Sequence, residues 1–408
     1  MTTQDGSAPA SRRGLMGVIV GATALGSLSL NIFLPSVPGL QRDFATDYTT
    51  VQLGLTLYLA TLAVAQLVYG PLSDRYGRRP LLRAGLVLYV AGTIACLLAP
   101  DIWFFVAGRV VQAAGGCAGL VIGRAILRDL YDRERAAAMI AFVSMVMIVA
   151  PTFAPAIGGF LDGWIGWRGS FFFLLAFGTA VLIAAFLALP ETLARKSAVM
   201  GVRGLVGEFR VLLGMRAFCG YAFQVGFITG AFYTFLGGAP HVTISLMGMS
   251  PFEYGLAYIA VSGAFMVGAF ISTRLSVRLG SDRMILIGLS LSATGMFGLG
   301  LVELFGSVTP FALFAGMSAL AFGNGFSVPN GTAGAISVDP ARAGAASGLL
   351  GGLQMTVGTG LSFLVAALLN GSTLPMTAIM VATAAAAWLV FLWGVRPLAG
   401  SAVSPDRG

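Results

Sequence analysis

The sequence predicts an all-α membrane protein in which twelve transmembrane helices form two pseudo-symmetric six-helix bundles. Composition is the first of three observations behind this fold class: 57% of the 408 residues are hydrophobic, only 10% are charged, and the mean hydropathy is +0.89. The second is a series of apolar runs, each long enough to cross a bilayer as a helix of roughly 20 residues. The third is a loop sequence that recurs, in degenerate form, half a chain later.

Twelve apolar runs account for most of the chain. In chain order they cover residues 14–36, 50–70, 81–99, 102–124, 136–160, 168–189, 214–238, 251–273, 283–304, 309–329, 342–369 and 375–396. A chain that crosses lipid must form helices or a closed barrel, because no water satisfies its backbone groups there. Runs of this length without strict polar–apolar alternation indicate helices. The first run is too long for a signal peptide, so we expect it to remain as the first span.

The basic residues predict the orientation of these spans. If the N-terminus is cytoplasmic, 21 of the 24 lysine and arginine residues fall in cytoplasmic segments, as the positive-inside rule requires. The net charge of +8 is then an orientation signal rather than a sign of nucleic-acid binding. We therefore expect a multi-pass protein of the inner (cytoplasmic) membrane, surrounded by the lipid bilayer, with both termini in the cytoplasm.

The spans divide the chain into five predicted parts. These are a cytoplasmic N-terminal tail (1–13), an N-terminal six-helix bundle (14–189), a cytoplasmic linker (190–213), a C-terminal six-helix bundle (214–396) and a cytoplasmic C-terminal tail (397–408). The linker is amphipathic in part, because Leu205, Phe209 and Leu212 recur at helical spacing. This pattern favours a helix that lies near the membrane surface.

Residues suited to catalysis or metal binding are scarce. His241 is the only histidine, which nearly excludes a histidine-based metal site or a serine–histidine triad. Cys96, Cys117 and Cys219 stand in apolar runs without CxxC spacing, so we expect them to be small buried side chains. We predict a protein that is not an enzyme and that has no cofactor, no metal and no nucleic-acid partner.

A compact charged loop separates the second and third apolar runs. It reads YGPLSDRYGRRPLLRAG over residues 69–85. Its gate candidates are Gly70, Asp74, Arg75, Gly77, Arg78 and Arg79. Part of the loop, RYGRRPLLRAG, matches RLGSDRMILIG at residues 278–288, so that Arg75 aligns with Arg278. A parallel repeat of two six-span halves is typical of transporters that bind substrate between the halves.

Several segments resemble the major facilitator superfamily, and together they cover essentially the whole chain. The loop GPLSDRYGRRP resembles the signature of this family, and GRVVQAAGG resembles its membrane-embedded Arg-x-x-Gln motif, with Arg109 and Gln112. In the fifth run, APTFAPAIGG resembles the antiporter motif of drug exporters, with Ala154-Pro155 in place of the usual Gly-Pro. The segments PNGTAGAI and AGAASGLLGGLQ look like those of the bicyclomycin- and chloramphenicol-resistance branch of drug:proton antiporters.

The resemblance implies a gate in the charged loop, which would meet the far half near the start of span eleven. It also implies that the fifth span packs tightly against span eight through a proline stripe and a stripe of small residues. The gate candidates on these stripes are Pro151, Pro155, Gly158 and Gly159. Close helix packing is also predicted by two glycine ladders, Gly115, Gly119 and Gly123 in span four and Gly344, Gly348 and Gly352 in span eleven.

The first run departs from this branch at the position of a coupling carboxylate. The segment LGSLSLNIFLPSVPGL has Asn31 there, and an amide does not titrate near neutral pH. Arg109 stands at similar depth, and a charge in the bilayer core usually faces a cavity or a partner. We therefore expect a cavity with an unpaired positive charge, which disfavours cationic substrates. Glu303, Asp43 or a proton carried by the substrate would then have to provide coupling.

The leading hypothesis is a secondary active transporter that exports small amphipathic compounds, with neutral or anionic ones favoured, by alternating access and proton coupling. The substrate and coupling candidates are Asn31, Arg109, Gln112, Glu303, Gln224 and Gln354. The alternative is a metabolite importer or uncoupled facilitator of the same fold, which the amide of Asn31 favours. The expected partners are a small molecule and protons, and the resemblance implies a monomer.

Overall fold

The computed structural model describes residues 9–193, 202–306 and 308–395. The N-terminal half consists of α1 (Pro9–Asn31), α2 (Val37–Asp43), α3 (Tyr48–Tyr76), α4 (Arg78–Leu97), α5 (Ile102–Leu130), α6 (Arg133–Ile165) and α7 (Arg168–Ala188). An amphipathic helix, α8 (Val202–Gly214), follows in the linker. The C-terminal half consists of α9 (Arg216–Pro240), α10 (Pro251–Leu279), α11 (Ser281–Phe305), α12 (Pro310–Ser337), α13 (Ala343–Leu368) and α14 (Leu374–Gly394).

The helices provide up to twelve membrane spans. Eleven helical segments in the described ranges are long and apolar enough to cross a membrane, and the bent pair α8–α9 raises the number to twelve. The first segment runs through α1 and α2, from Gly14 to Asp43. The bend between α8 and α9 measures 97°, and α9 passes into a π-helix at His241–Leu246. The predicted all-α fold with twelve spans in two bundles is confirmed.

Several helices extend beyond the predicted span ends, among them α3, α10 and α12, which end at Tyr76, Leu279 and Ser337. α1 begins at Pro9, within the predicted tail, and α5 ends at Leu130, beyond the predicted end at Arg124. The charged side chains in the last turns of α5 end the apolar run without ending the helix, because a charged residue keeps its helical hydrogen bonds. The predicted C-terminal tail of residues 397–408 lies outside the described ranges.

The turns show why the helices begin and end where they do. Asp47, Asp101 and Asp132 accept hydrogen bonds from backbone amides three residues on, at the starts of α3, α5 and α6. Such caps satisfy amides that have no partner within the helix. Gly77 and Gly280 join α3 to α4 and α10 to α11 with φ angles of 107° and 80°, which only glycine adopts readily. The predicted repeat therefore extends to the backbone conformation of its two loops.

The alternating direction of the spans gives the molecule two faces. We call the face with the turns at Gly77, Asp132 and Gly280 the arginine-rich face, and the face with the turns at Asp101 and Gly166 the opposite face. In the N-terminal half α5 packs against α1, α3 and α4, and in the C-terminal half α12 packs against α9, α10 and α11. The two halves meet where α3 packs on α13 and α6 packs on α10.

Hydrogen bonds close the two halves together at the opposite face. The Tyr48 hydroxyl donates to the Gly237 carbonyl oxygen at 2.7 Å, which ties the start of α3 to the end of α9. The neighbouring Thr49 hydroxyl donates to the Ala366 carbonyl oxygen on α13 at 3.1 Å. These groups are uncharged, so the closure does not depend on an ion pair between them.

The two glycine ladders have different surroundings. On α5, a Cβ at Gly115 would lie 2.5 Å from the Gly85 carbonyl oxygen, and one at Gly123 would lie 3.2 Å from Thr23 Oγ1. On α13, no neighbouring atom lies within 4 Å of a Cβ built on Gly344, Gly348 or Gly352. The predicted close packing is therefore correct for α5 and wrong for these three glycines of α13, although a Cβ at the neighbouring Gly351 would lie 3.2 Å from Gln66 Oε1 on α3.

Candidate functional site

A cavity of about 590 Å³ lies between the two halves. From the N-terminal half it is lined by Ser27, Leu30, Asn31, Arg124, Met147 and Pro151. From the C-terminal half it is lined by Thr229, Phe232, Tyr233, Tyr258, Val261, Ser262, Phe265, Ala321, Asn324, Val328, Thr332 and Gln354. A space between repeats near the middle of the spans is where transporters of this architecture bind substrate.

Arg124 is the one charged side chain among the described residues that line this cavity. It lies on α5, is exposed, and donates a hydrogen bond to the Met147 sulfur at 3.7 Å. Within the described ranges it forms no ion pair. Sequence reasoning assigned Arg124 to a cytoplasmic segment and missed it, although the apolar residues Ala125, Ile126 and Leu127 directly after it were a signal that the helix continues.

Arg109 is enclosed inside the N-terminal bundle. Its side chain is fully buried, and Nη1 donates to Gln112 Oε1 at 2.6 Å. Its guanidinium carbon lies 4.4 Å from the ring centre of Phe33 and 4.2 Å from that of Tyr58, positions in which a cation is attracted to the ring faces. Gln112 in turn donates from Nε2 to Thr93 Oγ1 at 2.8 Å. Aromatic rings and an amide, rather than a carboxylate, therefore stabilise this charge.

The expected positive charge is present in the cavity, but its predicted source is wrong. Arg109 does not line the cavity, since rings of its own bundle cover it. Arg124, 15 positions later on the same helix, supplies the charge, at a distance of about 22 Å along the axis at 1.5 Å per residue. The position of Arg109 within its apolar run correctly predicted that the residue lies within the membrane. The direction of its side chain, however, depends on how the helices of the N-terminal bundle pack.

Asn31 lines the cavity and joins the two halves. Its Nδ2 donates to the Ser27 carbonyl oxygen at 2.9 Å, one turn earlier on α1. Its Oδ1 accepts a hydrogen bond from the Tyr258 hydroxyl on α10 at 3.2 Å. The amide therefore acts as donor within its own bundle and as acceptor across the interface. Tyr258 was not a predicted site residue, because its role depends on a contact between distant helices.

The two stripes of α6 face different neighbours. On one side, a Cβ at Gly158 would overlap the Ile32 backbone of the same half. On the other side, a Cβ at Gly159 would lie 2.9 Å from the Phe252 Cα at the start of α10. Pro155 belongs to this second side, and Pro151 reaches the cavity. The structure thus places α6, the fifth span, against α10, the eighth span, as the resemblance implies.

The charged loop forms its polar contacts within the N-terminal half. Arg78 pairs with Asp74 at 2.6 Å and with Asp129 on α5 at 2.9 Å. Glu191, just after α7, accepts hydrogen bonds from the backbone amides of Arg78 and Arg79 at 3.0 and 3.2 Å. Among the described residues, the ion pairs of Asp74 do not reach α13.

Glu191 explains why glycine is needed in this loop. A Cβ at Gly77 would lie 2.6 Å from Glu191 Oε2, and its φ of 107° disfavours other residues as well. Partial burial raises the pKa of Glu191, but hydrogen bonds from four backbone amides, those of residues 193, 78, 79 and 192, outweigh this effect and lower its pKa overall. The sequence did not predict a role for this glutamate, because its partners are backbone amides of a loop more than 100 residues earlier in the chain.

The remaining predicted residues divide between the cavity and other places. Gln354 on α13 lines the cavity. Gln224 is fully buried against Gly331 of α12 and does not line it. Glu303 accepts hydrogen bonds from the Thr373 hydroxyl at 2.6 and 2.8 Å, near the start of α14 and outside the cavity. Its position does not suit contact with a cavity-bound cargo.

Curated relatives of this chain are transporters and resistance proteins. The MFS-type transporter YdgK of Bacillus subtilis (strain 168) is 32% identical over 90% of this chain and 92% of its own length. A chloramphenicol resistance protein of Pseudomonas aeruginosa is 30% identical over 82% of this chain and 76% of its own length. Multidrug resistance protein D of Escherichia coli (strain K12) is 29% identical over 85% of this chain and 86% of its own length.

Structural and family comparisons agree with these relatives. The structure of a bacterial homologue of the human lysosomal transporter Spinster, in an inward-facing and occupied conformation, has a TM-score of 0.77 at 16% identity and covers 98% of this chain and 100% of that chain. This likeness concerns the fold. The family model described as Major Facilitator Superfamily matches residues 19–363. The chain therefore belongs to the major facilitator superfamily, as its motifs predict.

Proposed function

We propose that this protein is a secondary active transporter that exports small amphipathic compounds by alternating access. The observation that carries this proposal is the cavity between the halves, which reaches the exposed Arg124 near the arginine-rich end of α5, while the halves are hydrogen-bonded at the opposite face. Relatives named for chloramphenicol and multidrug resistance support a drug-like cargo. By the positive-inside rule the arginine-rich face is cytoplasmic, so the structure corresponds to an inward-facing state.

The chemistry of the cavity walls favours amphipathic cargo. Its walls combine aromatic and aliphatic side chains with a few amides and hydroxyls, as in sites that bind drug-sized molecules. Among the described residues no carboxylate belongs to its lining, so an organic cation finds no opposite charge on them. We propose that neutral and anionic compounds are therefore favoured, that the protein works as a monomer in the inner membrane, and that it transports without chemical conversion of its cargo.

The mode of coupling has two candidates. Proton coupling is usual in this family, but Asn31 supplies no titratable group to the cavity. A proton that drives export must move inward as the cargo moves outward, so it would have to bind a group outside the cavity. The amide favours a second candidate, an uncoupled facilitator. The two differ in one measurement: in inverted vesicles with a preformed proton gradient, added substrate dissipates the gradient only if transport is coupled.

Resistance in a drug-sensitive bacterial host tests the proposed export. Cells that express the protein should tolerate higher concentrations of neutral compounds such as chloramphenicol and accumulate less of them. Ser262→Trp, which places a large ring in the cavity, should abolish this effect. Phe270→Trp on the same helix is the matched control, because Phe270 is 59% exposed on the outer surface. Increased accumulation, or equal resistance with Ser262→Trp, would contradict export through this cavity.

A further inference from the structure

We propose that Arg124 binds an anionic group of the cargo and makes the cavity selective for amphiphiles that carry a carboxylate or another oxyanion. This inference rests on the proposed function and narrows its substrate class. It assigns a role to a charged residue that the sequence motifs do not include. It also predicts that the cargo has one charged end and one apolar end.

The hydrogen-bonding capacity of Arg124 is almost unused. A guanidinium has five N–H donors in a planar fork that matches the two oxygens of a carboxylate. In the structure Arg124 donates to the Met147 sulfur at 3.7 Å, and a thioether is a weak acceptor. By comparison, Arg78 satisfies two carboxylates, those of Asp74 and Asp129. The free donors of Arg124 are therefore available to a ligand in the cavity.

The charges around Arg124 favour an anion over other groups. Across the described ranges no acidic residue lines the cavity or pairs with Arg124. An unpaired charge in a space that must later be closed off from water is unfavourable unless a counter-charge accompanies it. An anionic cargo supplies that counter-charge, whereas a cationic cargo adds a second positive charge. Loading with an anion therefore favours closure of the arginine-rich face around the cargo.

The opposite wall of the cavity suits the apolar end of the cargo. Phe232 and Tyr233 on α9 and Phe265 on α10 line it from the C-terminal half. Aromatic rings offer a large apolar surface for a flat hydrophobic group. Because Arg124 belongs to the N-terminal half, a cargo that binds both would bridge the two halves, and its binding would depend on their relative position.

A matched set of fluorescent probes tests the selectivity directly. N-dansylglycine carries a carboxylate, its glycinamide analogue is neutral, and N-dansylethylenediamine is cationic, while all three share one apolar ring system. With the purified full-length protein in detergent, we expect the anionic probe to bind about tenfold more tightly than the neutral one, as for a charge-assisted hydrogen bond. Arg124→Gln should remove this preference and leave affinity for the neutral probe unchanged. Arg124→Lys should retain part of it, since lysine keeps the charge but not the fork.

Arg128→Gln is the control, because Arg128 is exposed one turn later on α5 and does not line the cavity. It should bind all three probes as the wild type does. Equal wild-type affinity for the anionic and neutral probes would overturn the role of Arg124 while leaving export intact. The role of Arg124 would also be overturned if Arg124→Gln lost affinity for the anionic and neutral probes equally, since such a loss indicates a structural role. Absence of resistance in cells contradicts the proposed function itself, independently of the probe affinities.

Discussion

Asn31 uses both ends of its amide, and this dual role distinguishes it from a coupling carboxylate. The donor end binds the Ser27 carbonyl oxygen of its own helix, and the acceptor end binds the Tyr258 hydroxyl of the other half. A carboxylate in the same place would keep the second bond and lose the first, because it has no N–H to donate. The asparagine therefore ties the halves together without a charge that changes with pH.

Asn31→Asp should extend transport to organic cations. The new acid adds a negative charge to a cavity that lacks one, and we expect efflux of ethidium to rise roughly tenfold, the effect of one charge-assisted interaction. Efflux should fall again at acidic pH, where the carboxyl is protonated. Fluorescence of ethidium-loaded cells measures both effects. Asn324→Asp adds the same charge to the cavity from α12. An equal rise in ethidium efflux in both variants would show that the position of the carboxylate is unimportant. No rise in either variant would refute the idea that a carboxylate in the cavity admits organic cations.

Tyr258→Phe should loosen the closure at the opposite face. The change removes the hydroxyl that binds Asn31 and keeps the ring, so the closed state loses about 1 kcal/mol, or about a fivefold change in population. Tyr254→Phe is the control, because the buried Tyr254 hydroxyl has no hydrogen-bond partner among the described residues. Spin labels at Ala45→Cys and Asn370→Cys report the distance between the halves. An identical distance distribution in both variants would exclude a role for this bond.

At the scale of elements, the contact between α6 and α10 sets how closely the halves approach. A Cβ at Gly255 would lie 2.5 Å from both the Pro155 carbonyl oxygen and the Ala156 Cα. Neither backbone atom can rotate away, so the helices would have to separate. The absence of a side chain at Gly255 is thus as important to this interface as the small residues of the antiporter motif opposite it.

Gly255→Ala should therefore destabilise the protein, whereas Gly263→Ala on the same helix should not. Overpacking of a tight contact is expected to lower stability by about 1–3 kcal/mol. No neighbouring atom lies within 4 Å of a Cβ at Gly263, where alanine should instead favour the helix by about 0.5–1 kcal/mol. Thermal unfolding of the detergent-purified variants measures the difference. Equal unfolding midpoints for the two variants would mean that α6 and α10 are less closely packed than in the structure.

The sequence was sufficient to predict which segments are helices and which residues lie within the membrane. Apolar runs identified the spans, and the family-like segment that contains Gly70, Asp74 and Gly77 identified the charged loop. It was not sufficient for side-chain direction, so Arg109 was expected in the cavity and Arg124 in a cytoplasmic segment at the end of its span. The glycine ladders of α5 and α13 have the same spacing but different surroundings, because the surroundings of α13 depend on the conformational state, which a sequence does not contain.

At the scale of the whole molecule, the open glycine face of α13 indicates where the second conformation closes. The halves touch from the level of Ser362, whose hydroxyl lies 3.5 Å from Gln52 Nε2, to that of Gly351, where a Cβ would lie 3.2 Å from Gln66 Oε1. Nearer the arginine-rich face, Gly70 on α3 and Gly348 on α13 both lack close neighbours. In alternating access these two faces would approach each other, and the charged loop of α3 would then meet the start of α13.

Gly348→Trp should permit folding but block transport. A Cβ at Gly348 meets no described atom within 4 Å in the present conformation, so we expect the indole to be tolerated there, whereas it would obstruct the approach of α3 and α13 in the other conformation. Gly360→Trp is the matched control, because it also has no neighbour within 4 Å but lies near the level where the halves already touch. We expect normal thermal stability in both variants and loss of efflux in Gly348→Trp alone. Retained efflux in Gly348→Trp would show that this face does not close.

The described residues contribute no acidic group to the cavity lining, and this has a consequence for the energy source of export. An anion that leaves the cell without a proton moves one negative charge outward, so its export is electrogenic. A membrane potential that is negative inside favours this movement by about 2.3 kcal/mol per charge at 100 mV. For anionic cargo the membrane voltage alone would then drive efflux, in a protein whose cavity, in the part of the chain that the structure describes, offers Arg124 and Asn31 but no carboxylate.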